Sequence, residues 1–309
     1  MASTILYKTA IMLILISVGI LCAKTKLISA ASNKDLSKFV LQVVNPVVIF
    51  MSYQTDYRTE LVRNLLLTFV ISLGVMTAAI LLSYVLVRRK EGRESEIERF
   101  SSVYSNCGFM GIPLVNAIYG DEGVFYLTAF ITVFNLIVWT HGVIMISGEK
   151  DFRQVVKVFH SPTIIAIVLG IITFFLRIRL PGPAAEALGL IKEVNTPMAM
   201  IVSGVTIAGT NIKKMLKNYR VYYVCLLKLI VVPLIIAVPL ALLTGVEERV
   251  RMTILVAAAA PPATMCTLLS LRYGKNSIYA SEIFAAGTIL SIGSLPLVVK
   301  ATEYLTKIL

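Results

Sequence analysis

Charge is what this sequence has least of. Only 15% of its 309 residues are charged, against about 25% in soluble domains. With 57% hydrophobic residues and a mean hydropathy of +0.84, that shortage excludes a soluble globular protein and leaves no room for a separate soluble domain. Histidine is nearly absent: His141 and His160 are the whole supply, so an H-E-x-x-H zinc site cannot be built. The aspartates Asp35, Asp56, Asp121 and Asp151 all fall between apolar runs, which denies an intramembrane aspartyl protease its pair. No G-x-S-x-G nucleophile elbow occurs. Cys22, Cys107, Cys225 and Cys266 show no C-x-x-C or metal spacing and read as small packing residues. No catalytic residue, metal ligand or cofactor site is therefore assigned, and the chain is not read as an enzyme.

What is abundant is apolar sequence in long runs. A membrane helix needs about 20 apolar residues to cross a core of about 30 Å. Ten runs qualify: Thr9–Ala23, Phe39–Thr55, Asn64–Val87, Phe100–Gly120, Gly123–Gly148, Val158–Leu176, Val194–Ile212, Val221–Val246, Met252–Leu271 and Asn276–Val299. They are continuous, not alternating in period 2, which excludes a β-barrel. The first carries Lys8 before it and Lys24, Lys26, Lys34 and Lys38 after it, the reverse of a secretory signal, and is read as a retained helix. The expected fold class is an all-α polytopic membrane protein with ten transmembrane helices.

Ten spans put both termini on one side. Most of the 29 Lys and Arg lie in the loops after spans 1, 3, 5, 7 and 9, so the positive-inside rule places those loops in the cytoplasm and both termini outside. The net charge of +12 then marks the cytoplasmic face and favours anionic lipid. Nucleic acid is not a partner, because the basic residues are scattered over short loops.

Five spans per half would make two halves inverted in the membrane, and matched features support that division. Span 2 contains Asn45-Pro46 and span 7 contains Asn195-Thr196-Pro197; span 4 is interrupted by Gly108, Gly111 and Pro113, and span 9 by Pro261-Pro262; both interrupted spans end in Tyr-Gly, at Tyr119-Gly120 and Tyr273-Gly274. The expected organisation is a first repeat over 1–148, a cytoplasmic linker over 149–160 and a second, inverted repeat over 161–309. Matched helix interruptions point to a transporter binding site.

Pro113 has no N–H and crowds the carbonyl of Phe109, so the helix is expected to open beside Gly111 and restart at Pro113. Pro261 and Pro262 similarly free the carbonyls of Ala257 and Ala258, with a restart offering the N–H groups of Ala263, Thr264 and Met265. Helix N-termini carry about half a positive charge and suit a carboxylate. Both breaks lie near the bilayer midplane, where irregular backbone survives only in protein or against a cavity. The candidate substrate site is Asn106, Gly108, Gly111, Ile112, Pro113, Ala260, Pro261, Pro262 and Ala263; the plainer alternative is a pair of proline kinks. Asn116, Tyr126 and Asn135 are further polar wall candidates, while Asn45 and Asn195 are read as satisfying bent backbone.

At these residues the sequence resembles the auxin efflux carrier family, which includes the plant PIN-FORMED exporters and bacterial organic-acid carriers. The run Ser105-Asn106-Cys107-Gly108-Phe109-Met110-Gly111-Ile112-Pro113-Leu114, then Tyr119-Gly120-Asp121, is similar to its span-4 signature. Asn195-Thr196-Pro197-Met198-Ala199-Met200 with Gly204 is similar to its span-7 signature, and Pro261-Pro262 to its span-9 crossover. The resemblance implies an NhaA-like fold in which broken helices 4 and 9 cross. It also implies a scaffold and homodimer interface from helices 1, 2, 6 and 7, and a mobile transport domain from 3–5 and 8–10. A carboxylate would bind at the crossover with Asn106 among its contacts. The chain lacks the plant members' long loop between spans 5 and 6 and resembles the bacterial branch.

Three ionisable residues interrupt the apolar runs. Lys228 lies eight residues beyond Arg220, Glu282 seven beyond Lys275, and His141 eight before Glu149, all at about 10–12 Å depth at 1.5 Å per residue. Unpaired charge at such depth is costly. A Lys228–Glu282 pair is expected, with His141 joining in proton movement; snorkelling of Lys228 and a backbone-satisfied His141 are the alternatives. The functional reading is a secondary carrier of small organic anions. A channel or a sensor on the same fold is the rival class. The absence of an acidic pair at the midplane weakens a sodium site and leaves proton coupling or uniport.

Overall fold

The structure, a computed structural model, describes residues 2–148 and 160–308. The expected linker lies, but for His160, outside the described residues, as does the start of the sixth apolar run. Described residues form thirteen helical segments: α1 (Ala2–Lys24), α2 (Ala30–Ser52), α3 (Thr59–Leu86), α4 (Ser95–Val103), α5 (Cys107–Ser147), α6 (Pro162–Phe175), α7 (Gly182–Glu193), α8 (Asn195–Ala208), α9 (Ile212–Lys217), α10 (Tyr219–Leu242), α11 (Glu248–Ala259), α12 (Met265–Arg272) and α13 (Ser277–Ile308). Six of these, α1, α2, α3, α5, α10 and α13, are long and apolar enough to cross a membrane, and α6 is a shorter apolar helix. The expected junction between spans 4 and 5 falls inside α5 at Gly120, whose φ of 62° and ψ of −152° break the helix there. Only glycine reaches that conformation without strain.

Polarity is arranged for lipid. On α3, Asn64, Thr68, Ser72 and Ser83 are buried while Leu66, Val70, Leu73 and Leu81 are exposed. A helix in water would turn the other way. Intrahelical hydroxyl bonds satisfy two of those inward groups, Thr68 Oγ1 donating to the Asn64 carbonyl at 2.6 Å and Ser83 Oγ to the Ile80 carbonyl at 2.7 Å. Helix starts are capped by side chains: Ser29 accepts from the Ser32 N–H, Ser161 from Ile164, Asn211 from Lys214 and Asn218 from Arg220.

Three prolines leave the same local signature. A π-helical turn precedes each: Val40–Val44 before Pro46, Cys107–Gly111 before Pro113, and Leu227–Val231 before Pro233. In each turn the next N–H reaches back five residues, as Ile112 does to the Cys107 carbonyl. The extra residue per turn moves the crowded carbonyl off the proline ring, so the helix bends without opening.

Helices α1 and α8 touch backbone to backbone. A Cβ on Gly19 would collide with the Ile201 carbonyl, and one on Gly204 with the Ile16 carbonyl. Small residues at a crossing are how membrane helices gain close packing. Gly204→Ala should therefore destabilise the protein by about 1–3 kcal/mol through overpacking, read as a lower unfolding midpoint in detergent; an unchanged midpoint would mean the crossing is loose. Below this pair, Asn195 Nδ2 donates to Asn45 Oδ1 at 2.6 Å, and Asn45 Nδ2 to the Gly108 carbonyl at 3.3 Å. Asn45 thus serves bent backbone, while Asn195 bonds Asn45 and its own Oδ1 has no hydrogen-bond partner.

Candidate functional site

The two interrupted helices meet at their breaks. Helix α4 stops at Val103, Tyr104–Ser105–Asn106 runs extended, and α5 begins at Cys107. Helix α11 stops at Ala259 and the chain re-enters helix at Met265. The two extended stretches pair antiparallel: the Asn106 N–H donates to the Pro261 carbonyl at 2.8 Å, the Ala263 N–H to Tyr104 at 2.9 Å, and Ser105 bridges to Pro262. Each stretch thereby supplies what the other's irregular backbone needs at a depth where water is scarce. Gly287 on α13 leaves room for the Pro262 ring, which a Cβ there would strike.

This corrects the sequence expectation at two points. The first opening is at Tyr104–Asn106, not at Gly111–Pro113, because the π turn absorbs Pro113. The free N–H groups at that restart belong to the turn beginning at Cys107, with Asn106 as its uncapped N-cap, not to Leu114, Val115 and Asn116. At the second break, the Ala263 N–H is already engaged by Tyr104.

The crossing sorts helix ends by polarity. Val103 and Ala258 lie at the C-terminal ends of α4 and α11, and their carbonyls converge on one cation. Lys228 Nζ, 1% exposed, donates to Val103 O at 3.0 Å, Ala258 O at 3.0 Å and Ser105 Oγ at 2.6 Å. Ser105 Oγ itself donates to Ala258 O at 3.0 Å. The ammonium sits where two helix dipoles present their negative ends. Lys228 is therefore not the partner of Glu282, and it does not snorkel. Depth alone placed the two at one level; the unpaired carbonyls of the breaks are the nearer and needier acceptors. Glu282 instead has Lys214 Nζ at 4.0 Å. His141 belongs to neither: its Nδ1 is 2.8 Å from the Tyr104 hydroxyl and its Nε2 is 3.3 Å from that of Tyr84.

The opposite, N-terminal ends border a cavity of about 120 Å³, lined from α5 by Asn106, Cys107, Gly108 and Ile112 and from the second break by Ala263, Thr264 and Met265. Asn45 and Asn135 also face it, with apolar walls from Phe109, Phe134 and Leu268. Asn106 is 5% exposed, and its side-chain Nδ2 has no partner. Of the expected site, Asn106, Gly108, Ile112 and Ala263 line this cavity. Gly111 and Pro113 are buried behind it in α5, Pro261 and Pro262 form the backbone pairing, and Ala260 faces a separate space of about 10 Å³ on the α1 side. Asn135 is a wall residue as expected; Asn116 is not, and Tyr126 bonds to Asn64 and Glu122 away from it. Ser105 and Asn45 are the site residues that sequence reasoning gave no role there. Only the Asn45-Pro46 pair hinted at one.

A buried donor, two helix N-termini and a fixed lysine behind them favour an anion, and broken helices crossing in a lipid-facing bundle are the build of a membrane carrier. Comparison with known proteins agrees. The family model described as "Membrane transport protein" matches residues 4–299, and the chain belongs to that family, the auxin efflux carriers. It is a multi-pass membrane transporter. Its relatives include an "Uncharacterized transporter" of Methanothermobacter thermautotrophicus, 26% identical over 292 residues (92% of this chain, 94% of the relative). A protein of Rhizobium meliloti named "Putative malonate transporter" is 24% identical over 269 residues, covering 84% of this chain and 83% of its own. The "Uncharacterized transporter YfdV" of Escherichia coli is 23% identical over 304 residues, 92% and 93% respectively.

Proposed function

We propose that this chain carries small organic anions across the membrane, holding a substrate carboxylate at the helix crossover. The carrying observation is Asn106: a buried amide donor without a partner, at the N-cap of a restarted helix and on the cavity wall. A carboxylate there would accept from Asn106 Nδ2 and from the N–H groups beginning at Cys107. The malonate named for the Rhizobium relative supports a short carboxylic acid as the class.

Access is proposed to alternate. On the α2 side, the 120 Å³ cavity shares Leu41, Phe109, Thr264 and Leu268 with a further cavity of about 210 Å³ that runs to Asn33 and Lys34. On the α1 side only about 10 Å³ remains. This asymmetry suits a state open toward the loop after span 1, read as cytoplasmic from its lysines. We take the chain as ten spans in two inverted repeats of NhaA-like type, with extracytoplasmic termini. The Asn45–Asn195 contact between corresponding positions and the crossing of the two breaks favour that reading. Helices of spans 1, 2, 6 and 7 would be the scaffold of a homodimer, and the crossover bundle would move against it as an elevator.

The test is binding and counterflow over a panel of mono- and dicarboxylates, in proteoliposomes with imposed pH or sodium gradients. A carrier gives saturable uptake and counterflow by at least one carboxylate. Uptake that rises linearly marks a channel, and no flux with retained binding marks a sensor.

A further inference from the structure

A second charged pocket lies away from the crossover, at the end of the bundle where α4, α9, α10 and α13 begin or end. Its volume is about 280 Å³. The ionisable groups facing it are Arg93 and Glu94 before α4, Glu98 on α4, Lys214 on α9, Arg220 on α10, and Tyr279 with Glu282 on α13.

The two buried carboxylates in this pocket are treated very differently. Glu98 is fully served: it accepts from Arg220 Nε at 2.9 Å, from Arg220 Nη2, and from the Tyr279 hydroxyl at 3.0 Å. Glu282 is 0% exposed, and neither of its carboxylate oxygens has a hydrogen-bond donor. Among the described residues, the one cation within 4.0 Å of it is Lys214, whose Nζ stands 4.0 Å from Oε1 on a side chain that is 61% exposed. A carboxylate held this way, beside a space of about 280 Å³ at the loop end of the bundle, has only a distant and exposed cation to offset its charge.

We propose that Glu282 is a binding site for a small monovalent cation, a proton or an alkali ion, entering from the loop face and displacing Lys214. It is separate from the anion's place at the crossover, since Lys228 is committed to the broken-helix carbonyls. The same helix connects the two: Glu282 is five residues before Gly287, the position that admits the Pro262 ring. Neutralising Glu282 would therefore act on the element that seats the crossover.

The test needs no anion. Thermal unfolding of the purified protein is followed at mildly alkaline pH in sodium, potassium or choline chloride at fixed ionic strength, and then over an acid-to-neutral series in choline. In wild type, one of these responses should raise the midpoint by about 3 °C or more. A sodium or potassium response identifies an alkali ion, and a pH response alone identifies a proton. In Glu282→Gln that response should disappear. In Lys214→Gln it should persist and reach half-effect at several-fold lower cation activity. A wild type indifferent to both, or a Glu282→Gln protein that keeps the full response, overturns the proposal. Should Glu282→Gln fail to fold, an unchanged half-point in the exposed Lys214→Gln variant overturns it equally.

Discussion

Lys228→Met should lower the unfolding midpoint in detergent by about 5–15 °C, while Lys228→Gln should recover part of the loss. The side chain is large and buried, so the methionine fills most of its volume and the loss is not one of packing. What disappears is the donor set for the carbonyls at the ends of α4 and α11. Val103 O then has no side-chain donor, and Ala258 O keeps only the Ser105 hydroxyl. Leaving a buried acceptor unsatisfied costs about 1–3 kcal/mol each, so a loss of about 2–5 kcal/mol is expected. Replacing a buried charge by an apolar group is often harmless when its partners leave with it; here the partners are main-chain carbonyls and stay. A glutamine supplies two donors on a shorter stem and cannot span all three oxygens. A Lys228→Met protein as stable as wild type would mean that water already serves these carbonyls.

Depth and composition were legible in the sequence; direction was not. The polar residues that interrupt the apolar runs, Asn106, Lys228, Glu282 and His141, are all in the interior or half-buried, as the cost of charge in lipid requires. Their grouping failed because distance along a helix axis says nothing about which way a side chain turns. Lys228 turned to broken-helix carbonyls, His141 to Tyr104 and Tyr84, and Glu282 toward the loop end. The break in span 4 was likewise misplaced by a few residues. Proline chemistry at Pro113 is real, but a π turn relieves it locally, as it does before Pro46 and Pro233. The actual opening at Tyr104–Asn106 holds no proline or glycine. It exists because the opposing Pro261-Pro262 stretch offers main-chain partners, a tertiary cause that no local pattern encodes. The Asn45–Asn195 contact shows the converse: two N-and-proline signals matched in sequence do meet in space.

Asn106→Ala should weaken carboxylate binding by about 10- to 100-fold and leave the fold intact. A hydrogen bond to a charged group is worth about 1.5–3 kcal/mol, and about 1.4 kcal/mol is a factor of ten. The amide nitrogen has no partner to lose, and the main-chain bond from Asn106 N–H to Pro261 survives the substitution. Stability and binding should therefore separate, whereas the loss at Lys228 is one of stability. Asn106→Asp carries the argument further. It keeps the size of the side chain but sets a negative charge against the substrate in a cavity with no charged lining residue, so binding should be lost altogether at neutral pH. Isothermal titration with the best carboxylate of the panel measures both variants. An Asn106→Ala protein with wild-type affinity would remove the crossover from the binding site, because the helix N-termini beside it would then be acting without the buried amide donor that Asn106 turns unpaired toward the cavity.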